Sequence, residues 1–356
     1  MTHKQRVTAA IEHRRPDRVP KGDLAIESGL LRALIGAEAF DRLGPNERLG
    51  EVWRLLDADL VNVHQFPMRR VGQTDDGLPV FRSVLGDEHV ITEGSSHLHK
   101  AAIADIAEAD DYAPPDPASC LTGTLDWFVA NSDLFVFAQI MGPISALDWM
   151  LGTEDYLVWC MTDTPRVRLL SEKVIGCELS RAMTFLDRGA DAILIADDIA
   201  YNRGLFLPPT IMAQLAWPIY HRMIGRIKAH RDVPVFLHTD GDIRTALGDI
   251  VACGFDGLHS LQPSAGIDIA QVKRDFGRRL CLMGNLDLDR LMPFAAPGQV
   301  QAQVRWLCEA IGRDGGFILS TCNSLIDAIP PENVLAMYGA VDGSGRRRPE
   351  RAEPPA

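Results

Sequence analysis

No run of 18 apolar residues, the length a bilayer-spanning helix needs, occurs in the sequence, so a helical membrane protein is not expected. The opening stretch MTHKQRVTAAIEHRRPDRVP lacks the apolar core and small-residue cleavage site of a secretory leader, and a cytoplasmic protein is the expectation. Basic residues are the minority: 36 lysines and arginines against 48 aspartates and glutamates give a formal charge of −12. That leaves no broad positive field for nucleic acid or an anionic membrane surface. The seven cysteines, at 120, 160, 177, 253, 281, 308 and 322, include no CxxC pair, which argues against a disulfide framework or a zinc knuckle. No GxGxxG or GxxxxGK[ST] follows an apolar run, so the phosphate-cradling loop of nucleotide-binding sheets is missing.

What is present is an ordinary globular composition, 46% apolar over 356 residues, enough for a large core. Eight short apolar runs, at 19–24, 58–64, 134–139, 192–196, 233–238, 254–259, 280–283 and 317–320, alternate with stretches of helical periodicity. Strands joined by helices in this rhythm predict parallel pairing with right-handed crossovers, an α/β fold of the (β/α)8 TIM-barrel type forming a single domain over 1–341. Residues 65–120 break the rhythm with Gly72, Gly77, Gly86 and Gly94 and short polar runs, and read as a β-hairpin insertion near the barrel mouth. The last stretch, DGSGRRRPERAEPPA over 342–356, carries too little apolar surface to order itself and reads as a disordered tail.

Nearly every apolar run stops at a polar or ionisable residue, and in such a barrel the strand ends gather at one rim. The rim set is Asp23, Glu27, His64, Gln139, Asp197, Asp198, His238, Asp240, His259, Asn285, Asp287, Cys322 and Asn323. In VFLHTDGD, His238 and Asp240 are two apart at a strand end, so their side chains point the same way before the turn at Gly241. Cys322 follows the eighth run, next to the first in a closed barrel, and Glu27 reaches the rim from the first loop. Imidazole, carboxylate and thiolate suit zinc, and three protein ligands with an open position is the catalytic arrangement. The alternative is a strand-end histidine held by packing and an aspartate that stabilises a turn. Of Asp197 and Asp198, alternation sends one to the rim and leaves the other to cap a neighbouring segment. Asp198 and His259 are the candidate catalytic residues; His64, Gln139, Asn285 and Asn323 are candidates for substrate binding.

The chain as a whole resembles the uroporphyrinogen decarboxylase superfamily, and within it the zinc-dependent, corrinoid-linked methyltransferases and O-demethylase components. The carriers are RVTAAIEHRRPDRVP, ADDIAYNRGLFLPP, FLHTDGDIRTALGDIVACGFDGLHSLQPSAGIDIAQVKRDFGRRLCLMGNLD and GGFILSTCNSLIDAIPPENVLAMY. The resemblance implies the same barrel. Where the decarboxylase branch carries an arginine-rich RQAGR segment, this chain has KGDLAIESGLLRALIG, so the grip on substrate carboxylates is missing. The methyltransferase branch binds zinc through HxC and a later Cys, which fall on His238, Asp240 and Cys322, with Asp240 a departure from the pattern. A carboxylate in place of a thiolate leaves the ion a stronger Lewis acid toward oxygen. The implied function is methyl transfer from an O-methyl donor, a methoxyaromatic small molecule, to a corrinoid on a separate partner protein. The carrier motif DxHxxG is approached only by 87–92, DEHVIT, which lacks the glycine. Two alternatives stand beside it: a metal-free decarboxylase-like lyase using Asp198, for which Arg69, Arg70, Arg82 and Arg203 are the available cations, and a non-catalytic binding protein.

Overall fold

The computed structural model describes every residue except 65, 93–94, 117–119 and 342–356, so the tail expected over 342–356 lies outside the described residues. Thirteen strands are present among the described residues: β1 Leu60–Val63, β2 Met68–Gln73, β3 Pro79–Ser83, β4 Glu88–Thr92, β5 Ser95–Lys100, β6 Phe135–Met141, β7 Ala192–Ala196, β8 Ala200–Tyr201, β9 Gly204–Leu205, β10 Val235–Thr239, β11 Gly257–Ser260, β12 Cys281–Leu286 and β13 Phe317–Thr321. Seven of them form one parallel sheet in the order β1-β6-β7-β10-β11-β12-β13, with helices in the crossovers. Strands buried on both faces read as near-continuous apolar runs, as FVFAQIM, AILIA and FILST do.

The sheet is curled, and residues 20–24 lie between its two edges. Pro20 accepts from the Leu319 N–H and Gly22 donates back to the Leu319 carbonyl, while the Asp59 N–H donates to the Lys21 carbonyl beside β1. Eight strands were expected, yet the first run makes only an isolated bridge, Lys21 with Leu319, followed beyond it by Ile26 with Leu325. Pro20 explains part of this, because a proline has no N–H to give a ladder. Over 65–120 a single hairpin was expected; β2 to β5 form a four-stranded antiparallel meander instead, followed by the short 3-10 helix Ile106–Asp110. No described helix is long and apolar enough to cross a membrane.

Side-chain parity divides the core. Phe135, Phe137, Leu194, Phe236, Met283 and Ile318 pack together inside the curled sheet, while Val136, Ile193, Ile195, Val235 and Leu237 face the surrounding helices. The inner residues set the floor on which the polar strand ends stand.

Candidate functional site

Phe236 belongs to the inner cluster, so His238, two residues on, continues the same inward column and Asp240 extends it past the strand end. The parallel register places His238 beside His259. Gly257, two residues before His259, has no room for a side chain: a Cβ there would lie 2.2 Å from the Phe236 ring. The turn after Asp240 is equally constrained, since Gly241 has φ +88° and an added Cβ would strike the Ala200 backbone at 2.6 Å.

His259 is fully buried, and its Nε2 lies 3.2 Å from the Thr321 carbonyl, with the Ser320 hydroxyl at 3.3 Å. Burial and the neighbouring His238 push its pKa well below the ordinary value, so the ring is neutral. A carbonyl only accepts, so Nε2 carries the proton and Nδ1 is a bare acceptor. His238 Nδ1, 2.8 Å from it, is therefore the donor, which leaves Nε2 as the His238 ring nitrogen not engaged with His259. Such a partner fixes the tautomer of a ligating imidazole.

One ligand atom each of Asp198, His238 and Asp240 lies within 4.8 Å of the others. Asp198 Oδ1 accepts from the Asp240 N–H at 2.9 Å, and its own N–H donates to Ser145 Oγ. Asn323 Nδ2 donates to Asp240 Oδ2 at 2.7 Å. Asp240 Oδ1 is buried and has no hydrogen-bond partner, a costly state for a carboxylate oxygen unless a cation completes it. The donor set of one nitrogen and two carboxylates fits a divalent ion of the zinc type with open positions.

This grouping differs from the expected ligand set. Cys322 is not in the group, and burial, with Asp240, Asp287 and Asp289 nearby, pushes its thiol up to about 12. Its backbone N–H is committed to the Leu286 carbonyl. Glu27 is not in the group either: Asp327 N–H donates to its Oε2 at 2.5 Å. Asp198 is the residue that stands with His238 and Asp240 in the group.

The other rim residues separate by environment. Asp197 is buried and receives Tyr220 OH and the Ile144 and Ser145 N–H groups at the start of the helix Pro143–Leu151, so it caps the helix after the adjacent strand. Burial, against those donors, raises its pKa to about 6. Asp287 accepts from the Arg290 and Leu291 N–H groups. Asn285 is buried and donates to the Leu261 carbonyl. His259 is fully buried behind His238 and is absent from the cavity lining.

A cavity of about 510 Å³ opens beside the group, lined by His64, Gln139, Asp198 and His238 on the sheet side and by Phe66, Met68, Ile91, Ser96 and Trp149, among others. His64 and Gln139 thus reach the cavity, Gln139 with its Oε1 taken by Asn62. Neither lysine nor arginine is among the described lining residues. Ser96, Ser145 and Trp149 were not expected from the sequence, because none stands at a strand end of the parallel sheet. Only the alternation within the four-stranded sheet could have pointed to Ser96.

Residues 86–344 match the family described as Uroporphyrinogen decarboxylase (URO-D). The chain belongs to this family. Among curated members it is 25% identical over 215 residues to a methylcobamide:CoM methyltransferase, MtaA, of Methanosarcina barkeri, a match covering 59% of this chain and 58% of that relative, less than two thirds of its length. It is 23% identical over 270 residues to a uroporphyrinogen decarboxylase of Pseudoalteromonas atlantica, covering 70% of this chain and 71% of the other. A solved structure titled methyltransferase from Methanosarcina mazei superposes with TM-score 0.75 over 96% of this chain and 99% of that one at 19% identity, which shows that this URO-D family member shares its fold.

Proposed function

We propose that this URO-D family member is a zinc-dependent methyltransferase that moves a methyl group from an O-methyl donor, a methoxyarene, to a corrinoid on a separate protein. The observation that carries this is the pairing of the Asp198–His238–Asp240 group with a cavity whose described lining holds aromatic and apolar side chains and no cationic one. A polycarboxylate such as a porphyrinogen needs cations to meet its charge. The described cavity lining offers none, which disfavours the decarboxylase alternative although relatives of that name match the chain. Similarity to a methylcobamide:CoM methyltransferase supports the methyl-transfer class.

We read the curled sheet, with residues 20–24 bridging its edges, as a single (β/α)8 barrel over 1–341 with the four-stranded sheet over its mouth. Asp198, His238 and Asp240 would hold the ion, which when bound supplies Lewis acidity toward an ether oxygen, whose departure as an alkoxide or phenolate is otherwise slow. The chain's own residues do the rest. His259 holds the His238 ring and its tautomer; Asn323 holds Asp240; Phe66, Met68 and Trp149 surround an aryl ring and keep water away. The chain has no corrinoid carrier motif, so the acceptor must dock at the cavity opening.

Incubation of the purified chain with zinc, methoxyarenes and a reduced corrinoid protein tests the proposal. Methylated corrinoid and free phenol should form in equal amounts, with at least a 100-fold loss in Asp198→Ala. Full turnover after metal removal would contradict it.

A further inference from the structure

The stretch 87–92 falls short of a corrinoid carrier motif, and the structure gives its two ionisable residues next to the strand a different arrangement. Asp87 is fully buried with both carboxylate oxygens engaged: Oδ1 accepts from Ser83 Oγ at 2.5 Å, and Oδ2 lies 2.8 Å from His89 Nε2. A carboxylate oxygen accepts, so Nε2 is the ring nitrogen that donates to Asp87 and Nδ1 is the one turned to Ser96. That nitrogen lies 3.2 Å from Ser96 Oγ. The His89 ring is 3% exposed and stacks on Trp149 with centroids 4.5 Å apart, so it cannot swing away. Ser96 pairs with Ile91 across β4 and β5, and Ile91, Ser96 and Trp149 all line the cavity that His238 and Asp198 border.

We infer that Ser96, His89 and Asp87 form a proton relay in the cavity wall that serves a ligand bearing a weakly acidic hydroxyl or thiol. The ligand O–H or S–H bond breaks as its proton binds Ser96 Oγ, while the Ser96 hydroxyl proton passes to His89 Nδ1. The ligand is left as a phenolate or thiolate and His89 as an imidazolium paired with Asp87. The reverse direction returns a proton to a departing oxygen. A positioned imidazole can take a proton from a weakly acidic thiol or phenol, whereas an aliphatic alcohol is too weak an acid. The relay uses the cavity and not the cation group, so it stands whether or not an ion is held by Asp198, His238 and Asp240.

The test titrates the full chain with phenol and with its methyl ether, anisole, which lacks the donor. Ser96→Ala should weaken phenol binding about three- to tenfold and leave anisole within twofold, while Ser96→Thr retains phenol binding. Nitrogen spectra of histidine-labelled protein, assigned with His89→Gln, should show His89 protonated on Nε2 and bare on Nδ1, with the Nδ1 resonance moved by Ser96→Ala. A His89 protonated on Nδ1, no phenol binding, or equal phenol binding in the wild type and Ser96→Ala overturns the relay.

Discussion

Aspartates stand at both ends of the parallel strands, and the fold satisfies the two sets differently. Before β1, β7 and β11, Asp59, Asp191 and Asp256 each accept a backbone N–H, from Lys21, Val136 and Val235 respectively, and each also meets a cation. For Asp191 and Asp256 the cations are Lys4 and Lys228, both at 2.8 Å. Asp59, fully buried, meets Arg6 and Arg18 at 2.6 Å and His3 at 2.8 Å. Past β7 and β10, Asp198 and Asp240 sit beside a cavity with no cation in its described lining, and Asp240 Oδ1 has no partner. Saturated carboxylates at one end hold the strands together; at the other, Asp23, Asp197 and Asp287 are satisfied too, and Asp240 keeps an oxygen free to bind. The same residue type therefore serves stability at both strand ends, and the rim end adds a carboxylate with an open oxygen.

The largest effect that could break this contrast is on stability. Asp59→Asn leaves Arg6 and Arg18 beside a neutral amide and should cost about 3–5 kcal/mol in urea unfolding. Asp240→Asn removes an uncompensated charge and should change stability by less than about 1 kcal/mol. Equal losses would erase the distinction. On binding, His238→Ala should weaken zinc about 100-fold or more, read by competition with a chromophoric chelator, with the folded state retained. Asp59→Asn, in its folded fraction, should leave zinc affinity unchanged.

The pH dependence sharpens the contrast further, because the two ends hold carboxyl groups shifted in opposite directions. Burial raises Asp59, but the His3 hydrogen bond and the Arg18 and Arg6 charges outweigh it, and the net shift is downward. Its contribution is thus present above the ordinary carboxyl value and lost as acid is added. Asp23 has four donors, from Ser320, Thr321 and Tyr338, yet burial dominates and raises it to about 6. Its contribution is complete below the ordinary carboxyl value and is lost as the pH rises through about 6. Thermal denaturation from pH 4 to 7 should show the wild type losing of the order of 2–3 kcal/mol relative to Asp23→Asn. A parallel pair of curves would contradict the Asp23 shift.

The smallest expected effect is a null one. Cys322→Ala should leave zinc affinity within about twofold, with only a cavity cost to stability of about 1–2 kcal/mol.

Much of this was legible in the sequence, and the residues that were not share a cause. The apolar runs at 192–196 and 317–320 became β7 and most of β13, because strands buried on both faces need no alternation to be seen. The two-residue spacing brings His238 and Asp240 together, while both Asp197 and Asp198 border the cavity, Asp197 also capping a helix. Which strand ends meet at the same height was not readable. That depends on the register between strands, here His238 beside His259 and Asn285 beside Ser320, and register is a property of the folded sheet. Register and loop path together left Cys322 beside 286–289 and brought Asp198 to His238. The 65–120 segment gave no periodic signal for a cavity wall, and its contribution through Ser96 and Trp149-stacked His89 emerged only in three dimensions.

Calorimetric titration of the metal-free full chain with zinc, run side by side on wild type, Asp198→Asn and Cys322→Ala, is the most direct measurement. One ion per chain should bind the wild type and Cys322→Ala alike, and Asp198→Asn should lose at least 100-fold in affinity. No zinc uptake by the wild type, or loss in Cys322→Ala with retention in Asp198→Asn, would contradict a cation centre built from Asp198, His238 and Asp240.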